Sequence, residues 1–125
     1  MIKFVKTETG SNKLEWEYNG KTIVYEKENV YSGIIWEDKI FVYIYNSSKP
    51  SVSENSVLCL SLNGDYIYTI KPPIGWSIRY LTTHSTAKVA VVCSSENGVV
   101  DSWFSDWHFA INPDNGELTR HCPAY

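Results

Sequence analysis

Residues 56–70 read SVLCLSLNGDYIYTI and contain the clearest strand–turn–strand pattern in the chain. Leucines alternate with smaller residues before Asn63 and Gly64, and aromatic and β-branched residues follow them. Asn and Gly both tolerate the positive φ angles that a two-residue type I′ turn requires, so this dipeptide predicts a β-hairpin.

A two-residue loop also fixes which residues of the hairpin face each other. It pairs Leu60 with Ile67 and Cys59 with Tyr68, so both faces of the hairpin are largely apolar. Such a hairpin suits a position between two other sheets better than one with a face in water.

The same pattern occurs twice more. Residues 14–27 contain LEWEY, the dipeptide Asn-Gly and TIVYEK, and residues 107–121 contain WHFAI, the loop NPDNGE and LTRH. Further strands are expected at residues 30–36, 39–45 and 88–94. A repeat of about 45–50 residues with four strands in each unit is typical of β-propeller blades.

Two of these runs, VLCLSLNGDYIYTIKPP and WHFAINPDNGELTR, resemble the outer hairpins of quinoprotein-type (PQQ-like) propeller blades. A closed propeller needs at least about four blades, whereas this chain has one partial and two full repeats, roughly residues 1–27, 30–70 and 77–121. We therefore expect one all-β domain over residues 1–125, in which two to three antiparallel four-stranded sheets form an incomplete, half β-propeller. An ordinary β-sandwich is the alternative.

The composition narrows the function classes. Eleven basic and 14 acidic residues give a net charge of -3, which disfavours nucleic acid as a partner because phosphate binding needs a basic surface. The N-terminus has no apolar run long enough for a signal peptide or a membrane span. Three widely spaced cysteines, an odd number, argue against a disulfide framework. We expect a cytoplasmic protein with no membrane association.

Catalytic chemistry is not expected. Asp106 and His108 lie near serines, but a Ser-His-Asp triad also needs a nucleophile elbow and an oxyanion loop, and neither is evident. His121 and Cys122 are adjacent in a strand and point to opposite faces, so they cannot readily share a metal ion. The sequence predicts no enzyme, no cofactor and no metal, with the histidines in structural or surface roles.

The loop at residues 95–106 is the best candidate for a binding site, because aromatic side chains there are surrounded by acidic ones. Aromatic anchors with an acidic rim suit a basic protein partner. The alternative is that the aromatic residues fold back onto the core. Two smaller clusters, at the turn after residue 36 and after the Pro-Pro pair, are further candidates. The predicted partner-binding residues are Asp101, Trp103, Phe104, Asp106, Glu37, Asp38 and Trp76.

A small, mildly acidic, aromatic-rich chain of this kind, ending in DWHFAINPDNGELTRHCPAY, resembles bacterial immunity proteins of contact-dependent growth inhibition and other polymorphic toxin systems. The resemblance implies a partner, the cytotoxic C-terminal domain of a toxin, often a basic nuclease, whose active site the immunity protein would occlude. One alternative is a propeller-like structural module that forms a homodimer. A second is an enzyme or small-ligand binder that uses a groove between sheets.

Overall fold

The computed structural model describes residues 5–7, 13–45, 55–95 and 106–124, and eleven β-strands and their turns make up this part of the chain. In chain order the strands are β1 (Val5–Thr7), β2 (Lys13–Tyr18), β3 (Lys21–Glu26), β4 (Val30–Trp36), β5 (Lys39–Ile44), β6 (Ser56–Ser61), β7 (Tyr66–Ile70), β8 (Trp76–His84), β9 (Lys88–Ser95), β10 (Asp106–Ile111) and β11 (Leu118–Pro123). The predicted all-β class is therefore confirmed.

The strands form three antiparallel sheets, each a meander of strands that follow one another in the chain. The first sheet has the order β1-β2-β3, the second β4-β5-β6-β7 and the third β8-β9-β10-β11. Among the described residues two sheets thus have four strands and one has three. The first strands of the three sheets lie close together: β1 contacts β4, and β4 contacts β8.

The second sheet lies between the other two and is buried on both faces. Side chains alternate along β5 and β6, so Phe41 and Cys59 enter the core shared with the third sheet, whereas Ile40 and Leu60 enter the core shared with the first sheet. The whole hairpin was predicted to be packed on both faces. This is correct for β6, but β7 is exposed at Tyr66 and Ile67.

The register of the β6–β7 hairpin differs from the prediction at one pair of facing residues. Cys59 faces Tyr68 as expected, but Leu60 lies opposite Tyr66 and not opposite Ile67. The shift between the two pairs marks a β-bulge, which adds one residue to β7. As a consequence Tyr66 and Ile67 are both exposed.

The turn explains why Leu60 lies opposite Tyr66. Gly64 has a φ of 93° and its N–H donates to the carbonyl of Ser61 at 2.9 Å, while the N–H of Ser61 donates to the carbonyl of Asp65 at 2.8 Å. Only the glycine takes a positive φ, so the loop is a type I turn closed by a glycine bulge. In the β2–β3 hairpin, by contrast, Asn19 and Gly20 both take positive φ, which gives the two-residue type I′ turn.

Polar side chains tie the layers together. The indole N–H of Trp16 donates to the carbonyl of Leu62 at 2.8 Å and joins the first sheet to the second. The hydroxyl of Tyr68 donates to the carbonyl of Pro113 at 2.6 Å and joins the second sheet to the β10–β11 turn of the third. Burial, and a hydrogen bond with Cys59, raise the pKa of Tyr68, so its hydroxyl remains a donor.

All three cysteines are free thiols. Cys59 and Cys93 are buried in the core between the second and third sheets, and Cys122 is partly exposed on the third sheet. Among the described residues, no helix has the length and apolar character needed to cross a membrane.

Candidate functional site

A groove of about 530 Å³ opens at one end of the interface between the second and third sheets. It lies where β4, β5 and β8 meet, and four of the seven described residues that line it are tyrosines. These seven residues are Tyr31, Tyr43, Tyr45, Asn55, Ser77, Arg79 and Tyr80.

A β-bulge in β8 shapes the floor of this groove. The pairing of β8 with β9 shifts between Ile78 and Tyr80, so Arg79 is the extra residue. The hydroxyl of Tyr43 lies 3.0 Å from the carbonyl of Ile78 and 2.8 Å from that of Arg79, and can donate to either. The side-chain amide of Asn55, only 7% exposed, donates to the carbonyl of Ile78 at 3.2 Å. These bonds attach the second sheet to the third and fix the groove in place.

Electrostatics keep the Tyr43 hydroxyl in its donor form. Burial, with a smaller contribution from Tyr45, raises its pKa well above the ordinary value of 10.0. A phenolate facing two carbonyl oxygens in this partly dry position would be strongly disfavoured.

The aromatic rings of the groove support one another. Tyr31 meets Tyr43 edge-on, with ring centroids 5.9 Å apart, and Tyr45 at 5.8 Å. Each such pair contributes about 0.5–1.5 kcal/mol beyond the burial of area. Tyr31 on β4 is nevertheless 62% exposed, and Tyr80 on β8 is 47% exposed. The groove therefore has a fixed floor and a wide aromatic rim in contact with water.

Three of the predicted partner-binding residues, Asp101, Trp103 and Phe104, lie outside the described residues. Asp106 begins β10, and its Oδ1 accepts a hydrogen bond from the hydroxyl of Ser94 at 2.6 Å. This bond between neighbouring strands holds the carboxylate against the third sheet.

Trp76 begins β8 and is partly buried. Its ring packs edge-on against Phe109, with centroids 4.9 Å apart, so much of the side chain serves the core. The next residue, Ser77, lines the groove and lies in one row with Ser94 and Asp106 across β8, β9 and β10. Trp76 thus precedes a groove residue in the chain, and Asp106 lies two strands from Ser77 in the same row; neither side chain lines the groove.

Glu37 and Asp38 form the exposed turn between β4 and β5, away from the groove. Lys39 forms an ion pair with Asp38 at 3.0 Å and lowers its pKa through this hydrogen bond and its charge. Tyr31 lies near the start of β4 and Glu37 directly after its end, about 20 Å away along a strand of this length. The four described candidates therefore form two separate groups.

Sequence reasoning missed the tyrosines of the groove. Tyr43 and Tyr45 alternate within KIFVYIY, a run that is apolar on both faces, so the pattern gave no sign of which ring reaches water. Arg79 is the extra residue of a bulge that the sequence does not signal, and Tyr80 follows it.

No protein-family model, curated protein or solved structure matches this chain. The composition and geometry of the groove are thus the guide to function.

Proposed function

We propose that this protein is a cytoplasmic immunity protein that binds the cytotoxic domain of a bacterial toxin, with nuclease as the expected activity, and blocks its active site. The observation that carries the proposal is the tyrosine-lined groove between the second and third sheets. It is a binding protein in this account and not an enzyme.

The residue types of the groove favour a protein as the occupant. Tyrosine and arginine are enriched among the residues that contribute most to protein–protein binding. Tyrosine brings a large contact area at a small entropic cost, because few torsions have to be fixed. Tyr31 and Tyr80, which both line the groove and are both exposed, are the proposed anchors, and Arg79 adds a charged group to the lining.

A small-molecule ligand is the second candidate, since the volume lies within the range of about 300–1,000 Å³ that is usual for ligand sites. Such a site needs polar groups directed at the ligand. Here the hydroxyl of Tyr43 and the amide of Asn55 donate to backbone carbonyls of β8, so they hold the fold together. This favours the protein partner.

The net charge of the chain favours a basic partner, whereas Arg79 in the groove suits an acidic group on that partner. The chain carries a net charge of -3, and exposed turns of the second and third sheets carry the acidic residues Glu37, Asp38, Asp65, Asp114 and Glu117. A negative surface attracts a basic domain over some distance and raises its association rate, even where the acids do not contact it.

The proposed architecture is a half β-propeller, with one sheet for each blade. In a propeller the first strand of each blade lies nearest the central axis, and here β1, β4 and β8 contact one another in that order. The groove lies beside two of these inner strands. An incomplete ring leaves the outer faces of its end sheets for a partner to cover, or for a second copy in the homodimer alternative.

The test uses the cytotoxic domain encoded immediately upstream of this gene, purified with its active site inactivated and titrated by calorimetry. We expect binding by the wild-type protein, and a loss of at least about tenfold in affinity for a Tyr31→Ser, Tyr80→Ser double variant. Tyr66→Ser is the matched control, because Tyr66 is 64% exposed but lies on β7, outside the groove.

Two outcomes would count against the proposal. Absence of binding, together with no protection of cells that express the active domain, would refute the immunity function. Equal losses in the double variant and the Tyr66→Ser control would show that the groove is not the contact surface. Light scattering over a range of concentrations tests the homodimer alternative, which predicts a stable dimer without any partner.

A further inference from the structure

Three potential metal ligands converge on the third sheet, in a cluster separate from the groove. They are His84, His108 and Cys122, and their ligand atoms all lie within 4.8 Å of one another. The Sγ atom of Cys122 is 3.5 Å from Nε2 of His84 and 3.7 Å from Nδ1 of His108. Each residue is partly buried.

The strand register builds this cluster. His108 on β10 lies directly opposite Cys122 on β11, and a β-bulge follows between His108 and Phe109. His121 is the residue added by the bulge, so it does not join the convergent set. His84 ends β8, and its ring lies 4.8 Å from the ring of His108, centroid to centroid. The cluster thus links three strands of the sheet.

We propose that His84, His108 and Cys122 form a binding site for Zn²⁺. A thiolate with two imidazoles is a donor set that zinc prefers. In tetrahedral geometry, with bonds of about 2.3 Å to sulfur and about 2.0–2.1 Å to nitrogen, the sulfur and nitrogen ligands stand about 3.6 Å apart. Both sulfur–nitrogen distances of the cluster agree with this separation. The two nitrogens approach to about 3.3 Å on binding, by rotation of the imidazole rings.

Cys122 is the cysteine suited to this role. Metal ligation requires the thiolate, and burial disfavours the thiolate at the other two positions by raising the pKa of Cys59 and raising that of Cys93 to about 12. Cys122 is partly exposed and lies between two histidines, so an ion can reach it.

The turn after β8 orients the His84 ring. The N–H groups of Thr86 and Ala87 donate to Nδ1 of His84 at 3.1 and 3.2 Å, which directs Nε2 towards Cys122. Coordination through Nε2 moves the ring proton to Nδ1. The hydroxyl oxygen of Thr86, also 3.1 Å from Nδ1, can then accept a hydrogen bond from this N–H group. Metal-bound histidines commonly donate their other N–H to such an acceptor. The hydrogen bonds from the N–H groups of Thr86 and Ala87 to Nδ1 are lost in this exchange, and their loss reduces the free energy gained on binding.

Three protein ligands leave the fourth position of a tetrahedral zinc ion open to water. The bound ion would join β8, β10 and β11 and raise the stability of the third sheet in proportion to the logarithm of ion concentration.

The experiment is a titration of the purified full chain with Co²⁺, which reports tetrahedral thiolate ligation through visible d–d bands and near-ultraviolet charge transfer. We expect both signals, and their loss when Zn²⁺ is added. Cys122→Ser should remove the charge-transfer band, and His108→Gln should lower the Co²⁺ affinity at least about tenfold. His121→Gln is the matched control. Nε2 of His121 lies 2.8 Å from the hydroxyl of Thr86, a hydrogen bond that a glutamine amide can also form, and His121 lies outside the ligand set, so this variant should bind as the wild type does.

A second measurement covers variants that fold poorly. Zn²⁺ should raise the unfolding temperature of the wild type and of His121→Gln, but not that of Cys122→Ser. Absence of thiolate charge transfer in the wild type, or a His121→Gln variant that loses binding while His108→Gln keeps it, would overturn the proposal.

Discussion

Among single residues, Tyr43 stands out because its hydroxyl group joins the second sheet to the third. Tyr43 donates to the carbonyls of β8 that also form the groove floor. Tyr43→Phe removes the hydrogen bond from this hydroxyl to the Arg79 carbonyl, while the side-chain amide of Asn55 still donates to the Ile78 carbonyl. We expect a loss of about 1–2 kcal/mol in the free energy of unfolding, measured by urea denaturation. The control Tyr66→Phe, at an exposed hydroxyl, should change it little.

The same residue predicts a pH dependence. Its pKa in the folded state is raised above the ordinary 10.0, so above pH 10 the unfolded chain loses the Tyr43 proton and the folded protein keeps it. The stabilisation is complete below pH 10 and declines as the pH rises further. Wild-type stability should therefore fall more steeply than that of Tyr43→Phe, by up to about 1.4 kcal/mol per pH unit. Equal slopes for the two proteins between pH 10 and 11 would contradict this.

Backbone strain at Glu37 gives a third prediction. Its φ of 55° is unfavourable for a residue with a side chain. Glu37→Gly should relieve about 1–2 kcal/mol of strain, against a cost of about 0.5–1 kcal/mol in chain entropy, for a small net gain in stability. Asp38→Gly, next to it and without positive φ, should only destabilise. Both effects can be read from thermal unfolding.

At the scale of elements, the β10–β11 turn is locked against the second sheet. Gly116 has a φ of 79°, and a Cβ there would lie 2.6 Å from the ring of Tyr68, which is itself bonded to Pro113. Gly20 has nearly the same φ, 76°, but open space around it. Gly20→Ala and Gly116→Ala both place a side chain at a positive φ, but only Gly116→Ala also overpacks its surroundings. Gly116→Ala should therefore be less stable than Gly20→Ala by about 1–3 kcal/mol. Equal losses would show that the turn does not pack against Tyr68.

The hairpins illustrate what the sequence could predict. The Asn-Gly dipeptides at residues 19–20 and 63–64 were expected to form two-residue turns, and the chain does turn at Gly20 and Gly64. Their different turn types could not be foreseen, because the dipeptide does not show what lies near each turn. Gly64 lies close to the first sheet, where a Cβ added to it would be 3.3 Å from Ile23. The β6–β7 turn thus approaches another sheet, and packing between layers influences its shape where local preference alone favours the type I′ form.

At the scale of the whole molecule, the alternation of apolar residues predicted an all-β chain of packed sheets. The binding surfaces were not predictable in the same way. The groove brings Tyr31 and Tyr80 together, and the candidate zinc site brings His84 and Cys122 together, across strands far apart in the chain. Strand alternation assigns each side chain to a face but does not say which faces meet.

Hydrogen exchange of the full chain, alone and in complex with the inactivated cytotoxic domain, shows whether the toxin domain binds at the groove. If the groove is the contact surface, amides at the start of β4, the end of β5 and the start of β8 exchange more slowly in the complex, while those of β3 and β11 are unchanged. Protection confined to β3 or β11, or no change in any strand, would contradict the account.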